Sequence, residues 1–295
     1  MATSYEHLAG GFAGGVVSTL VCHPLDLLRI RYSANEGSRN RPQYRSYWHA
    51  TRSIVAAEGL RGLYQGLTPN LTGAALAWGL YFDFYYVIKA KCAKHHISIG
   101  AETADNFFIG LASGSCVLAL TNPIWVSKTR LCLQYEGEST KRYSGMLHCI
   151  KRMTLDEGFS SLYKGFVPGL LGTVHGALQF MLYNYFKDTH YRRLGVSSDY
   201  KLSTIDYLLY SAGSKIIATT VTFPYQLLRT RLQDHHANYR GLWDVTVRTM
   251  RAEGITGFYK GLLMANIRQV PAAVVTFVTY ENSVFLAERC IGRKR

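Results

Sequence analysis

The stretch Pro24-Leu-Asp26-Leu-Leu-Arg29-Ile-Arg31 returns in altered form as Pro123-Ile-Trp125-Val-Ser-Lys128-Thr-Arg130 and again as Pro224-Tyr-Gln226-Leu-Leu-Arg229-Thr-Arg231. The interval is about 100 residues each time. Each stretch ends a long apolar run, and each is followed by a second motif: Glu58-Gly-x-x-x-x-Tyr64-Gln-Gly66, Glu157-Gly-x-x-x-x-Tyr163-Lys-Gly165 and Glu253-Gly-x-x-x-x-Tyr259-Lys-Gly261. One Pro-x-Asp-x-x-Arg carries little weight. Three at one period, each with its Glu-Gly partner, define a tandem repeat, which sets the fold before any single residue is weighed. The predicted units are 1–99, 100–200 and 201–295, interdependent parts of one domain. Soluble helical repeats have periods of roughly 33–47 residues, far shorter than this. A non-transporting helical scaffold is therefore the weaker alternative.

Each unit reads as long helix, polar loop, short amphipathic helix, long helix. The first long helices are predicted at 5–33, 104–134 and 204–234, the short ones near 46–57, 144–156 and 241–252, and the second long ones at 67–94, 166–190 and 263–289. Gly10, Gly11, Gly14, Gly15, Gly110 and Gly114 sit early in the first helices, where small residues let membrane helices approach. The repeat prolines lie well inside them, each removing a backbone hydrogen bond. Gly59, Gly158 and Gly254 are placed to end the short helices. Mean hydropathy is only −0.02, and no stretch of 18 apolar residues runs unbroken. Helices lining a watery cavity are apolar on one side alone, so hydropathy underrates them. The reading is an all-α membrane protein with six transmembrane helices.

Lys and Arg number 33 against 19 Asp and Glu, a net charge of +14. The cations are spread along the chain and recur with the repeat. That fits anionic lipid and an anionic solute better than nucleic acid. The six cysteines include no Cys-x-x-Cys pair, which points to neither a zinc site nor a disulfide framework. His95-His96 and His235-His236 lack a third ligand at useful spacing, so no metal site is predicted. No phosphate loop, nucleophile motif or zincin motif is present, which argues against a membrane-bound enzyme. The N-terminus carries no secretory or Arg-rich transit signal, so targeting would be internal.

The two recurring motifs resemble those of the mitochondrial carrier family, Pro-x-[Asp/Glu]-x-x-[Lys/Arg]-x-[Lys/Arg] followed by [Asp/Glu]-Gly-x-x-x-x-[aromatic]-[Lys/Arg]-Gly, three times over. The resemblance covers nearly the whole chain. It implies pseudo-threefold symmetry, three short matrix-side helices, a multi-pass location in the mitochondrial inner membrane with both termini toward the intermembrane space, a monomer, and bound cardiolipin with no cofactor. The Pro-Ile-Trp of the second repeat resembles the branch carrying folate, FAD, pyrimidine nucleotides and NAD. Asn122 to Leu133 and Gly172 to Tyr183 are most similar to its folate and FAD members.

The resemblance also assigns roles. Asp26, Arg29, Trp125, Lys128, Gln226 and Arg229 would close the matrix side. Positions three and six of each motif lie about one turn apart on a helix face. Three cations there meet a single carboxylate, with Trp125 offering a ring and Gln226 a hydrogen bond. The opposite gate maps onto Tyr86, Lys89, Asn184, Lys187 and Glu281, where at most one ion pair can form; Asp83 lies on nearly the same face as Tyr86. Family contact points fall on Gly73, on Leu171 with Gly172, and on Arg268. A cation at mid-membrane is costly and usually functional, and guanidinium pairs well with carboxylate or phosphate. The other reading of Arg268 is a structural partner for a buried acid. Lys215 lies about three turns before Gln226, where the other repeats have Gly15 and Gly114; its alternative is a snorkelling lysine. His175 shares the face of Leu171, as solute donor or core histidine. Trp125 could stack on a ring at the cavity floor. The expected solute is folate or FAD, with a pyrimidine nucleotide or NAD as the alternative.

Overall fold

A computed structural model describes residues 4–36, 42, 44, 46–95, 102–135, 143–195, 203–237 and 239–290. Helices α1 (Ser4–Ala34), α2 (Tyr47–Gly62) and α3 (Leu67–Lys94) are followed by α4 (Glu102–Cys132), α5 (Met146–Glu157), a 3-10 turn (Phe159–Tyr163), α6 (Phe166–Leu170) and α7 (Gly172–Leu194). Then come α8 (Thr204–Gln233), α9 (Leu242–Gly257), α10 (Leu262–Ile267) and α11 (Gln269–Cys290). The described residues form helices and connections alone, in the order long, short, long, taken three times.

Local chemistry sets these boundaries. Gly59, Gly158 and Gly254, each following a Glu, take φ of 67°, 82° and 65°. That left-handed backbone ends the regular part of α2, α5 and α9 where the sequence placed the stop. Gly66 and Gly261 open α3 and α10, also in the left-handed region. A Cβ on Gly66 would sit 2.7 Å from Cys132 Sγ, and one on Gly261 2.8 Å from Ser33 Oγ, so glycine is needed there for close approach as well. Pro24, Pro123 and Pro224 lie inside continuous α1, α4 and α8. The last two long helices are not continuous as predicted. They divide at Leu171 and at Arg268. Pro271 has no amide to return to the Ile267 carbonyl, and Gly169 and Gly172 flank Leu171, lowering helix propensity there.

The long helices pack in the order α1 on α11, α3 on α4, and α7 on α8. Gly14 shows why α1 and α11 lie so close: a Cβ there would meet the Thr276 carbonyl oxygen at 2.8 Å. Gly11 and Gly15 face open space. The proline-containing helices α1, α4 and α8 also touch one another, and the buried clusters gather at that end. Leu27, Ile54, Leu133 and Met264 belong to one, Val126, Cys149 and Met153 to a second, Phe223, Leu227 and Ala265 to a third. Away from it, Phe12, Phe180 and Phe277 are each at least 65 % exposed, as suits a face turned to lipid.

Among the described residues four stretches are long and apolar enough to cross a membrane: Gly10–Ala34, Asp105–Cys132, Phe159–Arg193 and Leu262–Tyr280. The sequence reading expected six. Helices α3 and α8 fall short by composition, since polar residues dilute their apolar runs: Thr68, Asn70, Thr72 and Asp83 in α3, and Ser211, Ser214, Lys215, Thr219 and Thr220 in α8.

The last arginine of each proline motif knits this end together. Arg31 donates to both oxygens of Glu58 at 2.7 and 2.9 Å, Arg130 to both of Glu157, and Arg231 to both of Glu253 at 3.0 Å. Through Nε, Arg31 also donates to the Cys132 carbonyl, Arg130 to that of Gln233, and Arg231 to that of Ser33. Each arginine thus joins its own Glu-Gly motif to the end of the next proline helix, and the third returns to the first. Outside the apolar stretches, Glu157 is held at about 2 by hydrogen bonds from Arg130 and Lys164, against partial burial.

Candidate functional site

Three helices meet at the proline end because their motifs place cations and acceptors on facing sides. Lys128 Nζ of α4 donates to Asp26 Oδ2 of α1 at 2.6 Å. Arg29 Nη2 donates to Gln226 Oε1 of α8 at 2.7 Å, and its Nη1 lies 3.6 Å from Asp26 Oδ1. Among the described residues Arg229 has one hydrogen-bond contact, a long one, Nη2 to Asn122 Oδ1 at 3.5 Å. Trp125 takes the acidic position of the second motif. Its indole Nε1 donates to Thr121 Oγ1 at 3.2 Å, and the Lys128 ammonium lies 5.5 Å from its ring centre. Asp26, Arg29, Lys128 and Gln226 are therefore brought into one network, with Trp125 and Arg229 beside it.

Two cavities adjoin this network, of about 320 and 260 Å³. Both are lined by Asp26, Arg29, Trp125 and Lys128; the first adds His175, Tyr225 and Arg229, the second His23, Asn70 and Arg268. Among the described residues lining them, Asp26 is the one carboxylate, against Arg29, Lys128, Arg229 and Arg268. The cavity walls suit an anion.

Arg268 stands at the break between α10 and α11, 35 % exposed, with Nε 3.9 Å from Asp26 Oδ1. It therefore lies near the buried acid and also opens to the cavity. Lys215 faces a different cavity, of about 370 Å³, with Gln269, Thr276 and Tyr280 of α11. His175 Nδ1 is hydrogen-bonded to Thr222 Oγ1 at 2.9 Å. Gly73 is buried under Trp125: a Cβ there would come 3.3 Å from the indole and 3.1 Å from Ile124. In this conformation its space is filled by the tryptophan. Gly172 faces the Tyr225 hydroxyl, 3.5 Å from where a Cβ would stand. Leu171 is exposed.

Among the described residues, no hydrogen bond or ion pair joins those mapped onto the other gate to one another. Tyr86 and Lys89 are exposed, and Lys89 Nζ donates to Asn106 Oδ1 at 3.3 Å, where the Tyr85 hydroxyl also donates. Lys187 lies over the Tyr191 ring. Among the described residues no ion pair links Lys89, Asn184 and Lys187; the Glu281 side chain lies outside them.

Asp234, beside His235 and His236, supplies a third donor that the sequence reading did not count. The donor atoms lie within 4.8 Å of one another. His236 Nδ1 contacts Asp234 Oδ1 at 2.9 Å. His96 lies outside the described residues. Sequence reasoning also gave no role to the Arg–Glu links or to Asn122, whose Nδ2 donates to the Leu162 carbonyl at 2.7 Å. The available signal was the similar separation of the last arginine of each Pro motif from the glutamate after it.

The sequence profile described as Mitochondrial carrier protein matches residues 1–96, 100–194 and 200–287. The chain is 36% identical to a chloroplastic folate transporter of Arabidopsis thaliana over 97% of this chain and 96% of that one. It is 33% identical to a mitochondrial FAD carrier protein of Saccharomyces cerevisiae, covering 94% and 95%. A mitochondrial nicotinamide adenine dinucleotide transporter of the same yeast is 34% identical, with 95% of this chain and 76% of that one covered. The chain belongs to the mitochondrial carrier family, as a multi-pass inner-membrane protein that moves a small metabolite across the membrane and is a transporter, not an enzyme.

Proposed function

We propose that the solute is a large anion bearing a flat ring system, folate or FAD, moved by alternating access. The observation that carries this is the cavity floor, where four cations and an indole surround one carboxylate. An acidic, ring-bearing molecule meets both demands: guanidinium for its carboxylates or phosphates, and Trp125 for its ring. Folate and FAD are named for two relatives. A second reading, NAD, is favoured by the relative named for that dinucleotide, and a pyrimidine nucleotide would use the same cations.

In this reading three repeats, 1–99, 100–200 and 201–295, form six transmembrane helices about a pseudo-threefold axis and act as a monomer. Asp26, Arg29, Trp125, Lys128, Gln226 and Arg229 make the matrix gate; Tyr86, Lys89, Asn184, Lys187 and Glu281 make the cytoplasmic one. Arg268, Lys215, Gly73, Leu171, Gly172, His175 and Trp125 meet the solute. Cardiolipin binds at the starts of the short helices. Uptake into proteoliposomes, measured with folate, FAD, NAD and pyrimidine nucleotides side by side, tests the assignment. Transport of NAD or a nucleotide with no uptake of folate or FAD would overturn it.

A further inference from the structure

Of the three gate cations, two have short partners. Lys128 reaches Asp26 at 2.6 Å and Arg29 reaches Gln226 at 2.7 Å. Arg229 does not. The position that would face it with an acid holds Trp125, and among the described residues Arg229 keeps only the 3.5 Å contact to the Asn122 amide oxygen. Among the described residues no carboxylate lies within ion-pair distance of it. The side chain is nonetheless firmly seated. A Cβ on Gly169 of α6 would come 3.3 Å from its Cζ, and one on Gly165, just before α6, 3.1 Å from its Cγ, so the side chain packs closely against the glycines at the start of α6. Its other side opens into the 320 Å³ cavity beside Tyr225 and His175.

An oriented guanidinium in a cavity, held but not neutralised, is a receptor for an oxyanion. We propose that Arg229 receives the acidic end of the solute, whose carboxylate or phosphate takes the place of the acid that Trp125 displaces from the gate. The solute then completes the gate's charge network, and discrimination between charged and neutral ring-bearing molecules is made at this arginine. This rests on the anionic-solute reading above but names the residue that enforces it.

The test uses the full-length purified protein and thermal-shift titration with four probes: FAD, riboflavin, folate and inorganic pyrophosphate. Riboflavin keeps the flavin ring and lacks the phosphates. Wild type is expected to prefer FAD over riboflavin. Arg229→Gln should lose affinity for FAD, folate and pyrophosphate by roughly 10- to 150-fold, the value of a charge-assisted hydrogen bond, and leave riboflavin unchanged. Arg229→Lys should restore part of the FAD preference. Trp125→Glu supplies the missing acid within the chain; it should raise the thermal midpoint, weaken pyrophosphate binding, and lose both effects when combined with Arg229→Gln. Pyrophosphate carries no ring, so its result is independent of which solute is carried. If wild type ignores FAD and folate but loses pyrophosphate binding in Arg229→Gln, the solute assignment falls and the role of Arg229 stands. If Arg229→Gln binds pyrophosphate and prefers FAD as wild type does, the role of Arg229 is refuted.

Discussion

Asp26 receives Lys128 at 2.6 Å, Arg29 at 3.6 Å and Arg268 at 3.9 Å. Only the first is a close pair, so the acid is shared unequally and Arg268 keeps most of its capacity for another anion. Arg268→Ala is expected to abolish transport while the protein remains folded, with solute affinity lower by roughly 10- to 150-fold. Uptake within twofold of wild type would remove it from the solute site. Asp26→Asn acts in the opposite sense. It leaves Lys128 and Arg29 buried without their carboxylate, which costs about 3–5 kcal/mol when a buried pair is broken from one side. Its thermal midpoint should fall clearly, and an unchanged midpoint would mean that the gate is not held by charge. At this scale the sequence was legible wherever a repeat or a helical spacing supplied the register: position three of one motif meets position six of another at Asp26 with Lys128 and at Gln226 with Arg29. It was illegible where a contact joins segments of unrelated spacing. Nothing in the sequence around Gly73 says that Trp125 of the next segment lies on it, and nothing around Arg268 gives its distance to Asp26.

The Arg–Glu links belong to the scale of elements, because each fixes a proline helix, a short helix and the following segment at once. Arg130 is fully buried and Glu157 partly so. Glu157→Ala would strand Arg130, at a cost of about 3–5 kcal/mol, whereas replacing both partners by apolar residues should be nearer neutral. The pH dependence has a definite sign. The folded-state value of Glu157 is about 2, below its ordinary 4.5. Its contribution is therefore complete above pH 4.5 and is lost as pH falls from there through about 2. An acid titration of thermal stability should show this loss in wild type and a flatter curve in Glu157→Gln; coincident slopes would deny the link its energetic role. Helix order and the glycine stops at Gly59, Gly158 and Gly254 were readable from the sequence, since each rests on local backbone chemistry. The breaks at Leu171 and Arg268 were not read, although Pro271 was there to mark one of them. The Arg–Glu pairing needs the short helix to fold back on its own proline helix, a tertiary fact that periodicity alone does not contain.

At the scale of the whole molecule, the proline helices converge at one end, and among the described residues four of the six long helical stretches are apolar enough to span. The short helices ring the converged end, and their N-termini differ. Ser46 caps α2 itself, its Oγ accepting from the His49 amide at 3.1 Å. The caps of α5 and α9, Gly145 and Gly241, have no side-chain hydrogen bond to offer. Backbone amides at a helix start favour phosphate, and the chain carries a net +14 to draw an anionic lipid. Cardiolipin is therefore expected to raise the thermal midpoint over a neutral lipid, acting mainly at α5 and α9. Gly145→Asp probes this directly. Gly145 is extended, at φ 175°, and a Cβ there meets nothing within 4 Å. An aspartate should cap α5 from within, adding about 1 kcal/mol in neutral lipid, while its charge repels the lipid phosphate. The variant should be at least as stable as wild type in neutral lipid and gain less from cardiolipin. Equal gain in both proteins would place the lipid elsewhere, and no gain in wild type would end the proposal that cardiolipin is a bound component of this carrier.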